Sequence, residues 1–255
     1  MTGERVVLMG RENASTALLY NALSKKYDTH VIHEKAPSTI TLLRSRVNRL
    51  GIVKVIGQVL FQVLIAKPLS LFSGSRRRAI LAEHGASESP VPLGLLTQVG
   101  SVNSAACWDA VEKLAPSAIV INGTRILSKA SIARARVPIL NTHVGMTPRY
   151  RGVHGAYWAL AQGDPEHCGV TVHLVDEGID TGGVLYQARI NPTAADNFNT
   201  YPVLQMAVGS TLLVKAVRDV INGRAVVVEG PSGDRRWYHP TVLEYLTNRI
   251  LRGVR

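Results

Sequence analysis

Residues 137–143 read Val137-Pro138-Ile139-Leu140-Asn141-Thr142-His143, a short apolar run that closes on an amide and an imidazole. Strand side chains two apart share a face, so Asn141 and His143 point the same way at the end of this run. Similar runs lie at Arg5 to Met9, Thr29 to His33 and Ala118 to Asn122, with helical signals between them. Asn13 stands where it can cap a helix whose apolar face includes Leu18, Leu19 and Leu23. This alternation predicts an α/β fold, a mostly parallel sheet flanked by helices. In such sheets, sites form at the carboxyl ends of strands, which is where Asn141 and His143 fall.

The rest of the chain extends that pattern. Gly169 to Val175 and Leu185 to Ile190 read as strands. Asn199 or Thr200 is placed to cap a long helix carrying Leu204, Val208, Leu212 and Ala216, with Gly223 at its end. A strand at Ala225 to Glu229 and a basic terminal helix follow. The expected organisation is a main domain over 1–195, with a helical basic insertion at about 38–90, and a C-terminal helix and small extension over 196–255.

Hydrophobic residues make up 46% of the 255 and charged ones 18%, which excludes a disordered chain. The formal charge of +11 suits anionic small molecules, an acidic membrane surface or nucleic acid. Its distribution is uneven: nine basic residues and no acidic one lie between Lys35 and Arg78, so the charge centres on the insertion. Within it, Ile52 to Ala66 is nearly continuous apolar sequence between Lys54 and Lys67. About a dozen residues between those lysines fall short of the ~20 needed to span a bilayer. Two readings stay open: a helical insertion packed on the sheet, or a basic apolar hairpin on an anionic membrane, with Arg76, Arg77 and Arg78 among head groups. The first apolar run is too short for a signal peptide, so a cytoplasmic protein is expected, with peripheral membrane contact left open. Cys107 and Cys168 form no CxxC pair and read as reduced, incidental thiols. Gly10 belongs to no GxGxxG, which argues against a dinucleotide fingerprint. His143, His154, His167 and His173 lack a metal-ligand spacing, so no metal is expected.

An amide donor beside an imidazole suits acyl transfer, where one group steadies an oxyanion and the other handles a proton. Asp180, in Val175-Asp176-Glu177-Gly178-Ile179-Asp180-Thr181-Gly182-Gly183, could orient His143. The alternative is an Asp that merely caps a turn.

Together these segments resemble the folate-dependent formyltransferase family. Asn141-Thr142-His143 with Pro148-Arg149-Tyr150-Arg151-Gly152 is similar to the family's Asn-x-His strand end and Pro-x-x-x-Gly loop. Asp176 to Gly182 is similar to its third-residue loop, and Asn122 to Leu127 to its pterin-gripping segment. The resemblance implies a Rossmann-like formyltransferase fold, Asn141, His143 and Asp180 as the catalytic set, and N10-formyltetrahydrofolate as co-substrate. It places donor contacts at Thr124, Arg125, Ile126, Leu127, Glu177, Gly178 and Ile179. The run Arg151 to Leu160 looks most like the sugar N-formyltransferases, which act on nucleoside-diphosphate-linked amino sugars of the kind used for surface polysaccharide. That implies substrate contacts at Arg151, His154, Tyr157 and Trp237. The sequence Arg235-Arg236-Trp237-Tyr238 could instead be a turn anchoring the last helix. The partner expected is a small-molecule sugar nucleotide rather than nucleic acid, with a homodimer left open. The alternative substrate is glycinamide ribonucleotide or another small amine. The initiator-tRNA branch carries a further barrel, for which too few residues follow Ile190, and the intact trio argues against an idle relative.

Overall fold

Strands β1 (Arg5–Gly10), β2 (Asp28–Glu34), β4 (Ala118–Asn122) and β5 (Ile139–His143) are the apolar runs of the first half, now paired, and β3 (Leu96–Val99), a half-polar edge strand, joins them without a sequence signal. With β7 (Gly169–Leu174) and β8 (Val184–Arg189) they form one sheet in the order β3-β2-β1-β4-β5-β7-β8. The short β6 (Arg151–Gly152) and β9 (Arg236–Trp237) pair separately. Contacts among the first five strands are parallel, whereas β7 runs antiparallel to both β5 and β8. The fold is thus the mostly parallel, Rossmann-like sheet expected. The computed structural model describes residues 3–178, 180–233 and 235–255.

Parallel strands covered on both faces need apolar side chains on both. Val6, Leu8, Val120 and Leu140 pack against Leu18, Leu19 and Leu23 of α1 (Ala14–Leu23). Val7, Met9, Ile119 and Ile139 face the opposite layer with Cys107, Trp108 and Val111. The Asn13 side chain caps α1 by accepting from the Thr16 N–H at 2.9 Å.

The basic insertion comprises α2 (Thr39–Leu50), α3 (Ile52–Phe61), α4 (Lys67–Leu71) and α5 (Gly74–Glu83). Here the sequence expectation needs correcting. The apolar helix does not stop near Ala66: a π-helical turn at Gln62–Ala66 joins α3 to α4, giving 20 continuous residues, Ile52–Leu71. By length and composition alone that helix could cross a membrane, with a mean hydropathy of 1.6. Lys67, which closes the apolar run in the sequence, lies inside this helix, as does Pro68, whose ring crowds the carbonyl four residues back. The wider π turn just before it provides room without ending the helix.

After α6 (Ala105–Leu114), α7 (Lys129–Arg134) and α8 (Gly155–Ala161), the long α9 (Tyr201–Ile221) lies across the sheet. Leu213, Ala216 and Val217 of α9 share one core with Leu8 and Leu140. Gly209 permits the closest approach, since a Cβ there would sit 2.8 Å from Thr142 and Val170 side-chain atoms. Thr200 precedes α9 but its side chain accepts from the Asn197 N–H instead of capping the helix. Pro202 in the first turn needs no donor partner. The expected strand at 225–229 is reduced to one bridge between Val184 and Val228, because Val226 and Val227 remain exposed beyond the sheet edge. The terminal helix α10 (Val242–Arg252) begins with a capping box between Thr241 and Glu244 and packs beside α3.

Candidate functional site

The strand order reverses between β1 and β4, and the carboxyl ends around that point open into a cavity of about 460 Å³. Asn141 and His143, at the end of β5, and Asp180, from the 175–183 loop, all line it. Asn141 and His143, two apart on β5, thus share one face, and a distant glycine-bounded loop reaches the same space.

Two of the three are paired directly. His143 Nδ1 lies 3.4 Å from Asp180 Oδ1, and the ring is only 6% exposed. On its other side Nε2 bonds the Tyr150 carbonyl at 3.0 Å. A carbonyl only accepts, so Nε2 carries a proton and Nδ1 is the nitrogen turned to the carboxylate. The loop after β5 supplies that carbonyl, which gives the Pro148–Gly152 turn a direct role in fixing the ring. Asp180 sits at φ +53, and its Oδ2 accepts from the Gly152 N–H at 3.3 Å. Gly152 itself has φ +98, and a Cβ there would lie 2.2 Å from the Trp237 carbonyl oxygen. Turn capping falls to Asp176, whose Oδ1 accepts from the Gly178 N–H and the Thr181 hydroxyl. Asp180 is thus released from the bland role that its sequence allowed.

His173 joins the set, although its sequence gives no sign of it. The β5–β7 register pairs it with Asn141, and Asn141 Nδ2 lies 3.2 Å from His173 Nε2. His173 Nδ1 donates to the Leu174 carbonyl at 2.6 Å, leaving Nε2 to accept the Asn141 amide. Burial lowers the His173 pKa, favouring this neutral form.

The segment Thr124, Arg125, Ile126 and Leu127 lines the far wall of the cavity. Its conformation depends on Glu34, a buried carboxylate at the end of β2. Glu34 accepts from the Val102 and Arg125 backbone N–H groups at 3.0 and 2.9 Å and pairs with Arg125 Nε at 2.5 Å. A lone acid closing an apolar strand was the available signal. Gly178 also lines the cavity, whereas Glu177 is exposed and paired with Lys129 at 2.5 Å. Ile179 lies outside the described residues.

A second cleft of about 200 Å³ shares Gly152, Val153 and Asp180 with the first. Arg46 and Arg49 of α2 and Arg236 of β9 give it a cationic wall. Of the expected substrate contacts, Trp237 lines this cleft but its ring faces are taken. Tyr150 and Trp158 stack on it at 5.8 and 4.8 Å, and the Arg235 guanidinium sits 4.0 Å from its centre. Tyr157 is 1% exposed in the aromatic core, its hydroxyl bonded to Asn248. His154 bonds His239 at 3.0 Å and packs on Phe198. Arg151 pairs through β6 with β9 and is engaged within the protein. These side chains support the wall; Arg46 and Arg49, brought in by the insertion, provide its charge.

Neither cysteine belongs to the site. Both are free and buried, which pushes Cys107 up to about 11 and Cys168 up to about 12. No group of three or more metal-ligating side chains occurs among the described residues.

A family model described as formyl transferase matches residues 73–217, more than half of the chain. The methionyl-tRNA formyltransferase of Anaeromyxobacter dehalogenans is 38% identical over 120 residues, covering 47% of this chain and 38% of that protein. The chain spans less than half the length of the curated relatives compared with it. Among solved structures, a sugar N-formyltransferase from a Shewanella species aligns with a TM-score of 0.57 at 15% identity, covering 92% of this chain and 76% of that one. The formyltransferase PseJ from Anoxybacillus kamchatkensis, solved with a UDP-linked formamido sugar and tetrahydrofolate, aligns at 0.50 and 14% identity, covering 91% and 85%.

Proposed function

The chain belongs to the formyl transferase family, and on that premise we propose that it moves a formyl group from N10-formyltetrahydrofolate to the amine of a nucleoside-diphosphate-linked amino sugar. The observation that carries this reading is the convergence of Asn141, His143 and Asp180 on one cavity, with a cationic cleft opening beside them.

The folate supplies an activated formyl carbon and a leaving nitrogen. The cavity suits its flat ring: Ile121, Ile126, Leu127 and Val175 offer apolar walls, and the backbone held by Glu34 offers polar edges. Asn141 Nδ2 has two hydrogens; one meets His173, and the other is free to meet an oxyanion. His143 Nδ1 faces Asp180 and can take the proton lost by the attacking amine, the carboxylate stabilising the charged ring. The same nitrogen then returns a proton to the leaving amine, so a C–N bond forms as another breaks and protons balance. The Gly152 N–H holds the carboxylate in place throughout.

Arg46, Arg49 and Arg236 favour an acceptor carrying phosphate, because guanidinium groups match phosphate oxygens two at a time. A second reading, transfer to an aminoacyl-tRNA, is supported by the names of the sequence relatives and by the +11 charge. Labelled formyl donor offered with amino-sugar nucleotides, glycinamide ribonucleotide and methionyl-tRNA separates these readings. Label is expected in a sugar formamide. Label only in methionyl-tRNA, or only in the ribonucleotide, would defeat the sugar assignment, and label in none would defeat formyl transfer to these acceptors.

A further inference from the structure

The helix Ile52–Leu71 divides its surface in an unusual way. Val55, Gln58, Phe61 and Ala66 are buried against the body. The opposite stripe, Val53, Ile56, Leu60, Val63, Leu64 and Leu71, is apolar and between 45% and 82% exposed. These residues recur mainly at three- and four-residue intervals, so they share one side of the helix. On α10 beside it, Leu243, Ile250 and Leu251 are each at least 75% exposed. Apolar area on this scale is the mark of an interaction surface.

Its setting is cationic. No acidic residue occurs from Lys35 to Ala82, and basic residues stand on the helix itself (Lys54, Lys67) and on the two helices that contact α3, Arg44 and Arg49 on α2 and Arg249 and Arg252 on α10. Glu244, at the start of α10, lies 3.8 Å from Lys54 and closes the capping box. A second copy placed face to face would set one basic border against another, which is repulsive. An anionic bilayer supplies both halves of the match, acyl chains for the stripe and lipid phosphates for its border.

Length alone would let the helix span a bilayer, but its inner side is bolted down. Gln58 Nε2 donates to the His239 carbonyl at 2.7 Å, and Gln62 Nε2 lies 3.2 Å from His239 Nδ1. Gly57 rests against Thr241, where a Cβ would meet its side chain at 2.9 Å. Spanning would break all three contacts.

We propose that the exposed side of Ile52–Leu71, with α10, docks in the plane of an anionic membrane. The cationic cleft, formed partly by α2, would then open near the lipid surface. The proposal is independent of which amine is formylated.

Sedimentation with vesicles of phosphatidylcholine, with and without phosphatidylglycerol, tests it. The protein should pellet with the anionic vesicles at low salt, and less in high salt as screening grows. Val53→Asp with Leu64→Asp, both at exposed positions, should weaken vesicle binding by at least about tenfold while thermal stabilisation by tetrahydrofolate is kept. Three results would overturn the proposal: no pelleting with anionic vesicles, equal pelleting of parent and variant, or a stable dimer in ultracentrifugation that the variant dissociates. The last would assign the face to a second copy of the chain.

Discussion

At the residue scale, the site divides between groups that face the reaction and groups that hold them. Asn141 is the clearest of the first kind, because its amide is fixed by His173 and still has an unused hydrogen toward the cavity. Asn141→Ala should lower kcat by on the order of 10²–10³ and leave tetrahydrofolate affinity near its parent value, as read by single-turnover kinetics and calorimetry. A loss of donor binding with normal turnover of bound donor would contradict its assignment to the transition state. His239 is of the second kind. Burial, with some help from nearby Arg46, lowers its pKa to about 4. Gln62 and His154 both point donors at its Nδ1, so the neutral ring with its proton on Nε2 fits the site. An unfolded histidine titrates near 6.5, so the unfolded chain binds more protons between those values, and stability falls as pH falls. This contribution is fully present above about pH 6.5 and lost toward pH 4, up to ~3 kcal/mol. Melting curves from pH 7 to 4.5 should show the decline, and His239→Gln should reduce it, leaving the share of other buried histidines such as His154, whose pKa burial also lowers. An unchanged slope in that variant would place the acid sensitivity elsewhere.

At the element scale, the insertion is stitched to the body by a buried ion pair. Arg76 of α5 meets both oxygens of Asp196 at 2.9 and 3.1 Å, and Asp196 is 1% exposed. Burial pushes the carboxyl upward, yet Arg76, Thr193 and Thr200 together hold its pKa below the ordinary value. Arg76→Ala strands that carboxylate and should cost about 3 kcal/mol in urea unfolding at neutral pH. A loss under about 0.5 kcal/mol would show that the threonines suffice. Elements also set the limit of what the sequence could reveal. The strands around Asn141 and His143 were legible because alternation and burial are local. His173 was not, since its place beside Asn141 depends on which strand neighbours β5 and in what register. The partners of Glu34 were hidden for the same reason, since they lie 68 and 91 positions away. For Tyr157 and Trp237 the sequence leaves two roles open, because aromatic residues near a site serve the core as readily as a ligand; here Tyr157 is buried in the aromatic core and Trp237 lines the cleft with its faces stacked. The helix to Leu71 escaped notice because Lys67 reads as the end of the apolar run.

At the scale of the whole molecule, the two clefts draw on almost every part of the chain. The β4 and β5 ends, the 175–183 loop, the β6–β9 pair and α2 all contribute walls. A ligand filling the larger cavity therefore braces segments that the sheet alone does not hold, and binding only to the folded state must raise its stability. Tetrahydrofolate at about one hundred times its Kd should add ~2.7 kcal/mol, raising Tm by roughly 5–10 °C in a chain of this size. Inorganic diphosphate should give a further, additive rise through the cationic cleft, and Arg46→Ala with Arg236→Ala should abolish only that second step. His143→Ala should keep both shifts and lose turnover, because the wall at 124–127 is braced through Glu34 and not through His143. If His143→Ala removed the folate shift, the imidazole would belong to the binding wall, and the division between holding and reacting groups would have to be redrawn.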